Sequence, residues 1–147
     1  MHVELELQIA TAETGLPAAG DFQHWASAAL LSDSGRSVVI RLVDGDESRR
    51  LNRDYRGKEM PTNVLSFVSE TPVEIADNCI GDLVICAPVV TQEAARQHKP
   101  PIHHWAHMVV HGMLHLQGYD HEEQNEAEKM EQLEREILAK LGIPDPY

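Results

Sequence analysis

The sequence has no stretch of about 18 consecutive apolar residues, the length a helix needs to cross a bilayer, so no membrane-spanning segment is expected. It starts Met-His-Val-Glu-Leu-Glu, without the basic flank and apolar stretch of a secretory leader, and a cytoplasmic location is the expectation. Cysteine is scarce. Cys79 and Cys86 are the only two, and their odd spacing within one apolar run points them to opposite faces of a strand, which excludes a disulfide inside it. Buried thiols in a reducing compartment are expected instead. Positive charge is also short: 12 Lys and Arg stand against 24 Asp and Glu, a formal net charge of −12. That balance argues against a generic nucleic-acid binder, whose affinity comes mostly from neutralising phosphates.

What the sequence does contain fits one domain over residues 1–147, long enough to bury a substantial core without cross-links. Hydrophobic residues make up 42% and charged residues 24%, the balance of an ordered globular chain. Val3, Leu5, Leu7 and Ile9 alternate with Glu4, Glu6 and Gln8, a strand with one buried face. Phe22, Trp25, Ala26, Ala29 and Leu30 recur at helical spacing, with Asp21 placed to cap the helix. A β-rich run over 38–43 leads to a short helix capped by Asp46, then an irregular loop over 56–63 interrupted by Gly57 and Pro61. Strands follow over 64–68 and 80–86, joined by a turn containing Thr71, Pro72, Asp77 and Asn78. Within the second of these, Gly81 marks a bulge or a close approach of backbone. Helices are expected over 88–97, 102–117 and 122–141, the last ending at Gly142. The fold class is therefore α/β (α+β), a small mixed sheet of about four strands with about five helices. The helix over 102–117 is the most apolar and should be almost wholly buried.

Charge is distributed unevenly. Arg36, Arg41, Arg49, Arg50, Arg53, Arg56 and Lys58 fall in one short span, while Glu122, Glu123, Glu126, Glu128, Glu131, Glu134 and Glu136 crowd the last helix. A basic face that a polyanion could approach thus coexists with an acidic one, unless both are ordinary solvated surface.

The most specific stretch is His111-Gly-Met-Leu-His115-Leu-Gln-Gly118-Tyr-Asp-His121. Two histidines four apart on a helix lie on one face and can share an ion at a Zn–N distance of about 2.0–2.1 Å. Gly118 suits the left-handed residue that ends a helix, and the turn it permits can return His121 as a third ligand. Three nitrogen ligands leave a tetrahedral position open, the arrangement of catalytic zinc, although nitrogen donors also suit nickel and copper. The spacing coincides with the metzincin pattern His-Glu-x-x-His-x-x-Gly-x-x-His, except that Gly112 stands where the peptidases carry their general base. The expectation is a zincin-like domain whose buried helix keeps the metal geometry and lacks the proteolytic base. His107, one turn earlier, reads as a hydrogen-bonded buried histidine or as a partner of the ligands. Asp82 and Asp120 read as carboxylates that orient a ligand imidazole or as turn residues.

With these residues in view, the sequence resembles the YbeY-type rRNA maturation factors, bacterial zinc-dependent endoribonucleases. The resemblance rests on His111 to His121 preceded by His107-Met-Val-Val, on Asn52-Arg-Asp-Tyr-Arg-Gly-Lys58 with Pro61-Thr-Asn-Val-Leu-Ser-Phe67, and on Gly81-Asp-Leu-Val-Ile85. It departs from that pattern at Asn63, where aspartate is common, and at Val68, where proline often follows the phenylalanine. The resemblance implies a single-strand-specific endoribonuclease acting in 16S rRNA 3′-end maturation and ribosome quality control, with ribosomal RNA and ribosomal particles as partners. It also implies one zinc ion on His111, His115 and His121, for which the nitrogen donors alone would allow nickel as a substitute, and an essential Arg56. A guanidinium at that position can hold a phosphate through paired hydrogen bonds, and Arg53 and Lys58 are candidates for further phosphate contacts. A metzincin-like metallopeptidase and a non-catalytic ribosome-associated zinc module are the alternatives.

Overall fold

The computed structural model describes residues 2–32, 36–69, 79–120 and 122–147. Gly35, the turn residues Thr71, Pro72, Asp77 and Asn78, and the third histidine of the motif, His121, lie outside the described residues. The elements run β1 (Glu4–Ala10), α1 (Ala19–Ala28), β2 (Ser37–Val43), α2 (Gly45–Arg56), β3 (Val64–Val68), β4 (Cys79–Cys86), α3 (Ala87–Arg96), α4 (Pro101–Leu116) and α5 (Gln124–Lys140). The four strands form one mixed sheet in the order β1-β2-β4-β3. β1, β2 and β4 are parallel, and β3 runs antiparallel along the outside of β4. The chain is thus a single small α/β domain of the expected class.

Position in the sheet explains the strand sequences. β2 and β4 are central and read as nearly continuous apolar runs, as strands covered on both faces do. β1 is an edge and keeps Glu4 and Glu6 on its open side, which blunts the edge against further pairing. Gly81 has φ +146°, and a Cβ there would lie 2.3 Å from the Phe67 carbonyl oxygen, so the glycine permits the expected close approach between β4 and β3. One face of the sheet carries Ile40, Leu42, Leu83 and Ile85 into the main core with α1 and α4. The other face buries Val43, Leu65, Val84 and Cys86 in a smaller cluster closed by Leu51 and Val89 from α2 and α3. Both cysteines are free, Cys86 buried and Cys79 half-buried.

Helix starts differ in detail from the sequence expectation. Asp21 sits in the first turn of α1 and accepts the Ala18 N–H at 3.1 Å, so it closes the helix start from inside rather than preceding it. The residue at the N-cap of α2 is Asp44, not Asp46, and the Asp44 carboxylate accepts from the Thr11 hydroxyl and the Ala12 N–H, fastening the end of β1 to α2.

α4 is the axis of the domain. Its Trp105 is 2% exposed and meets Phe22 edge-on at 5.6 Å, and Phe22 meets Trp25 in the same way, which fixes α1 across α4. Two turns further along the same side, Gly112 faces the sheet, where a Cβ would come within 2.7 Å of a Leu83 methyl. Leu83 is fully buried and has no room to retreat, so the glycine lets helix and sheet approach. α4 ends in a left-handed Gly118 at φ +99°, with the Gly118 N–H on the His115 carbonyl and the Tyr119 N–H on the Leu114 carbonyl, both 3.1 Å. This is the turn expected from the sequence.

Candidate metal centre and cleft

The stripe of α4 left by its apolar residues carries His104, His107, His111 and His115. Their surroundings change along the helix. His104 and His107 are buried, whereas His111 and His115 are half-exposed and line a cleft of about 890 Å³. The opposite wall of that cleft is the end of α2, the loop after it and β3, which contribute Arg56, Lys58, Asn63 and Ser66.

That wall is held by α2. The Ser48 hydroxyl both accepts the Thr62 N–H and donates to the Thr62 carbonyl, each at 3.0 Å, and the Asn52 amide donates to the Met60 carbonyl at 2.8 Å. Ser48 and Asn52 are the buried residues of an otherwise charged helix, and their task is to tie down the irregular loop. Arg56 is the last residue of α2 and donates to the Ser66 carbonyl at 3.2 Å, which sets its guanidinium against the cleft wall. Lys58 lines the cleft as well. Arg53 is not among the lining residues and instead pairs with Asp54 at 3.0 Å.

On the helix side, the His111 and His115 Nε2 atoms are 3.1 Å apart. Two nitrogens on one tetrahedral ion at the usual bond length would be separated by about 3.3 Å, so the pair has the bite of a metal clamp. The other nitrogen of His111, Nδ1, meets a Glu134 carboxylate oxygen at 2.5 Å. Glu134 is fully buried, and its second oxygen meets His107 Nε2 at 3.0 Å and the Tyr147 hydroxyl. Burial pushes this carboxyl upward, but the hydrogen bonds from His107, His111 and Tyr147 prevail and hold it at about 2. An ionised carboxylate only accepts, so His111 carries its proton on Nδ1 and presents the Nε2 lone pair to the cleft. Burial and the Glu134 carboxylate beside it push the Tyr147 hydroxyl the other way, upward, so it stays a donor.

Two nested groups could therefore hold an ion, and they share His111. The inner group is His107, His111 and Glu134, whose ligand atoms lie within 4.8 Å of one another. The outer pair is His111 and His115, open to the cleft; the third residue proposed for it, His121, falls outside the described residues.

Glu134 and Tyr147 were not legible as site residues. Glu134 reads as one more acid on an acidic helix, yet it is buried beside Met130, Ile137 and Leu138. The available signal was its register: it lies four residues after Met130 and three before Ile137, on the apolar face of α5. His107 is the hydrogen-bonded buried histidine expected, while His104 is paired with Glu93 at 2.8 Å and is held below its ordinary pKa mainly by burial. Asp120 lines the cleft. Asp82 is exposed, and it alternates along β4 with Leu83, which faces α4, so it lies on the side of the sheet away from the histidines. Asn63 accepts the Val64 N–H at 2.7 Å and donates to Glu93 at 3.1 Å, linking the cleft wall to His104.

The solution structure of TM1509 from Thermotoga maritima shares this fold. It matches with a TM-score of 0.53 over 93% of this chain and 92% of that one, at 24% identity. The family described as endoribonuclease YbeY matches residues 10–142, a span that takes in the α2 loop, β4, the α4 histidines and Glu134, so the chain belongs to the YbeY endoribonuclease family.

Proposed function

We propose that the chain is a zinc-dependent endoribonuclease that cuts single-stranded RNA in ribosomal RNA maturation, including the 16S 3′ end, and in ribosome quality control. Its partners in this reading are ribosomal RNA and ribosomal particles in the cytoplasm; among the described residues no helix is long and apolar enough to cross a membrane. The observation that carries the reading is the meeting of Arg56 and Lys58 with His111 and His115 on one cleft, in a chain whose net charge is −12. Two cationic side chains that can contact a phosphate face a pair of imidazoles that can hold an ion, and Asp120 and Glu122 share the lining, so the cleft supplies both parts of a metal-assisted phosphodiester cleavage.

His111, His115 and His121 would hold the ion, with nickel able to replace zinc, and the ion would supply Lewis acidity toward a phosphoryl oxygen. Arg56 has one N–H on the Ser66 carbonyl, which orients the guanidinium and leaves donors to clamp a phosphate and offset charge that develops as the bond breaks. Lys58 adds a point charge along the backbone, and the phosphate contact proposed for Arg53 would require it to leave Asp54. Gly112 weighs against the peptidase alternative, because the position faces Leu83 and the sheet rather than the cleft.

The test is cleavage of precursor 16S rRNA and of unstructured peptides by the zinc-loaded and chelated protein. RNA cleavage that stops on chelation and returns with zinc is expected, and RNA cleavage that continues in metal-free protein would sink the proposal. Arg56→Ala should lower kcat by about 10²–10³ while zinc stays bound.

A further inference from the structure

Glu134 is out of place by the usual rules. It is a fully buried carboxyl group, and no lysine or arginine pairs with it among the described residues; its partners are two imidazoles and a phenol. One of its oxygens lies 2.5 Å from the Nδ1 of His111, the ring whose Nε2 is turned toward His115 on the cleft. That is the relation in which a carboxylate fixes the tautomer and raises the basicity of a metal-bound histidine.

The Tyr147 hydroxyl does not reach Glu134 by chance. Asp145 accepts the Tyr147 N–H at 2.9 Å and pairs with Arg135 at 3.1 Å, the Arg135 guanidinium lies over the Tyr147 ring at 5.3 Å, and Lys99 donates to the Pro146 carbonyl at 2.9 Å. The segment is fastened to α5 and to the turn after α3, and what it delivers is one hydroxyl to a carboxylate already shared by His107 and His111.

We infer that Glu134 is the positioning residue of the metal centre: it holds the His111 ring with Nε2 toward the cleft, and Tyr147 and His107 hold Glu134. This rests on the reading of His111 as a ligand. A glutamine has the same shape but offers one acceptor and one donor atom, so it cannot accept from both histidines. The inference therefore separates two quantities that a merely structural glutamate would move together. Without metal, Glu134→Gln keeps the size of the side chain, and the imidazole rings can change tautomer to meet its one acceptor and one donor, so the fold should hold. With metal, it removes the group that orients the ligand.

The experiment measures zinc affinity by chelator competition, and thermal midpoints with and without zinc, for the full chain and for Glu134→Gln and Tyr147→Phe. Expected are an affinity lowered about 10–100-fold in Glu134→Gln, a smaller loss in Tyr147→Phe, and a metal-free Glu134→Gln midpoint no lower than that of the metal-free parent. Unchanged affinity in both variants overturns the inference, as does a metal-free midpoint that falls as far as the zinc-loaded one. If Glu134→Gln does not fold, Tyr147→Phe decides through its affinity alone. A parent chain that binds no zinc overturns the ligand reading beneath, a different result from a parent that binds and variants that bind equally.

Discussion

His104 and His107 share a stripe of α4 with His111 and His115, at helical spacing and with the same chemistry, yet the two pairs occupy different surroundings. The first pair is buried, and each ring meets a carboxylate, Glu93 or Glu134. The second pair opens on the cleft, with its Nε2 atoms turned toward one another. Spacing brings four imidazoles into line; what packs over each turn of the helix separates those closed into the core from those that open on the cleft. His111 belongs to both halves, because one nitrogen faces Glu134 and the other faces the cleft.

The comparison breaks most visibly at His115. His115→Ala should abolish stoichiometric zinc binding and RNA cleavage while leaving the urea midpoint of the metal-free chain close to the parent's, since the lost ring borders a cleft and not the core. A large metal-free destabilisation would place His115 with the structural pair. His107→Ala is expected to do the reverse in the denaturation experiment, costing about 1–3 kcal/mol because Glu134 keeps its charge and loses a donor. A midpoint unchanged by His107→Ala would mean that the buried pair holds the fold no more than the cleft pair does.

The smallest effect is a dependence on pH. Burial keeps His104 below its ordinary value of 6.5 in the fold, so the unfolded chain takes up the proton first as pH falls. Its contribution is present above pH 6.5 and is lost as pH drops through the folded value. Between pH 7.5 and about 5.5 the parent should therefore lose more stability than His104→Gln, read from urea midpoints at the two pH values. Equal losses, or a larger loss in the variant, would count against a neutral buried His104.

How much of this was legible in the sequence follows the range of the interactions. The α4 clamp and its Gly118 turn are local, set by residues four to seven apart, and the strand alternation of β1 and the loop between α2 and β3 are local too. Glu134 and Tyr147 meet His111 only through packing, and an acid among many acids on α5 carries no mark of its burial beyond its register. Gly112 gains a second meaning in the fold. In sequence it reads as a missing catalytic base, whereas in the fold it is a contact with Leu83, and its smallness serves the packing of α4 on β4. Asn63, a departure from the family's common aspartate, sits 3.1 Å from the Glu93 carboxylate, where an amide can donate and a second carboxylate would repel.

α2 and α4 both end at the cleft. Arg56 closes the one and His115 stands in the last turn of the other, so the carbonyl ends of two helices, where the partial negative charge of a helix dipole gathers, border one cleft. Those ends, with Asp120 and Glu122 on the same lining, offset the charges of Arg56 and Lys58. RNA affinity should then rise with metal loading: the bound ion adds positive charge where the substrate must sit, and the cleft takes an anion better after it has taken a metal.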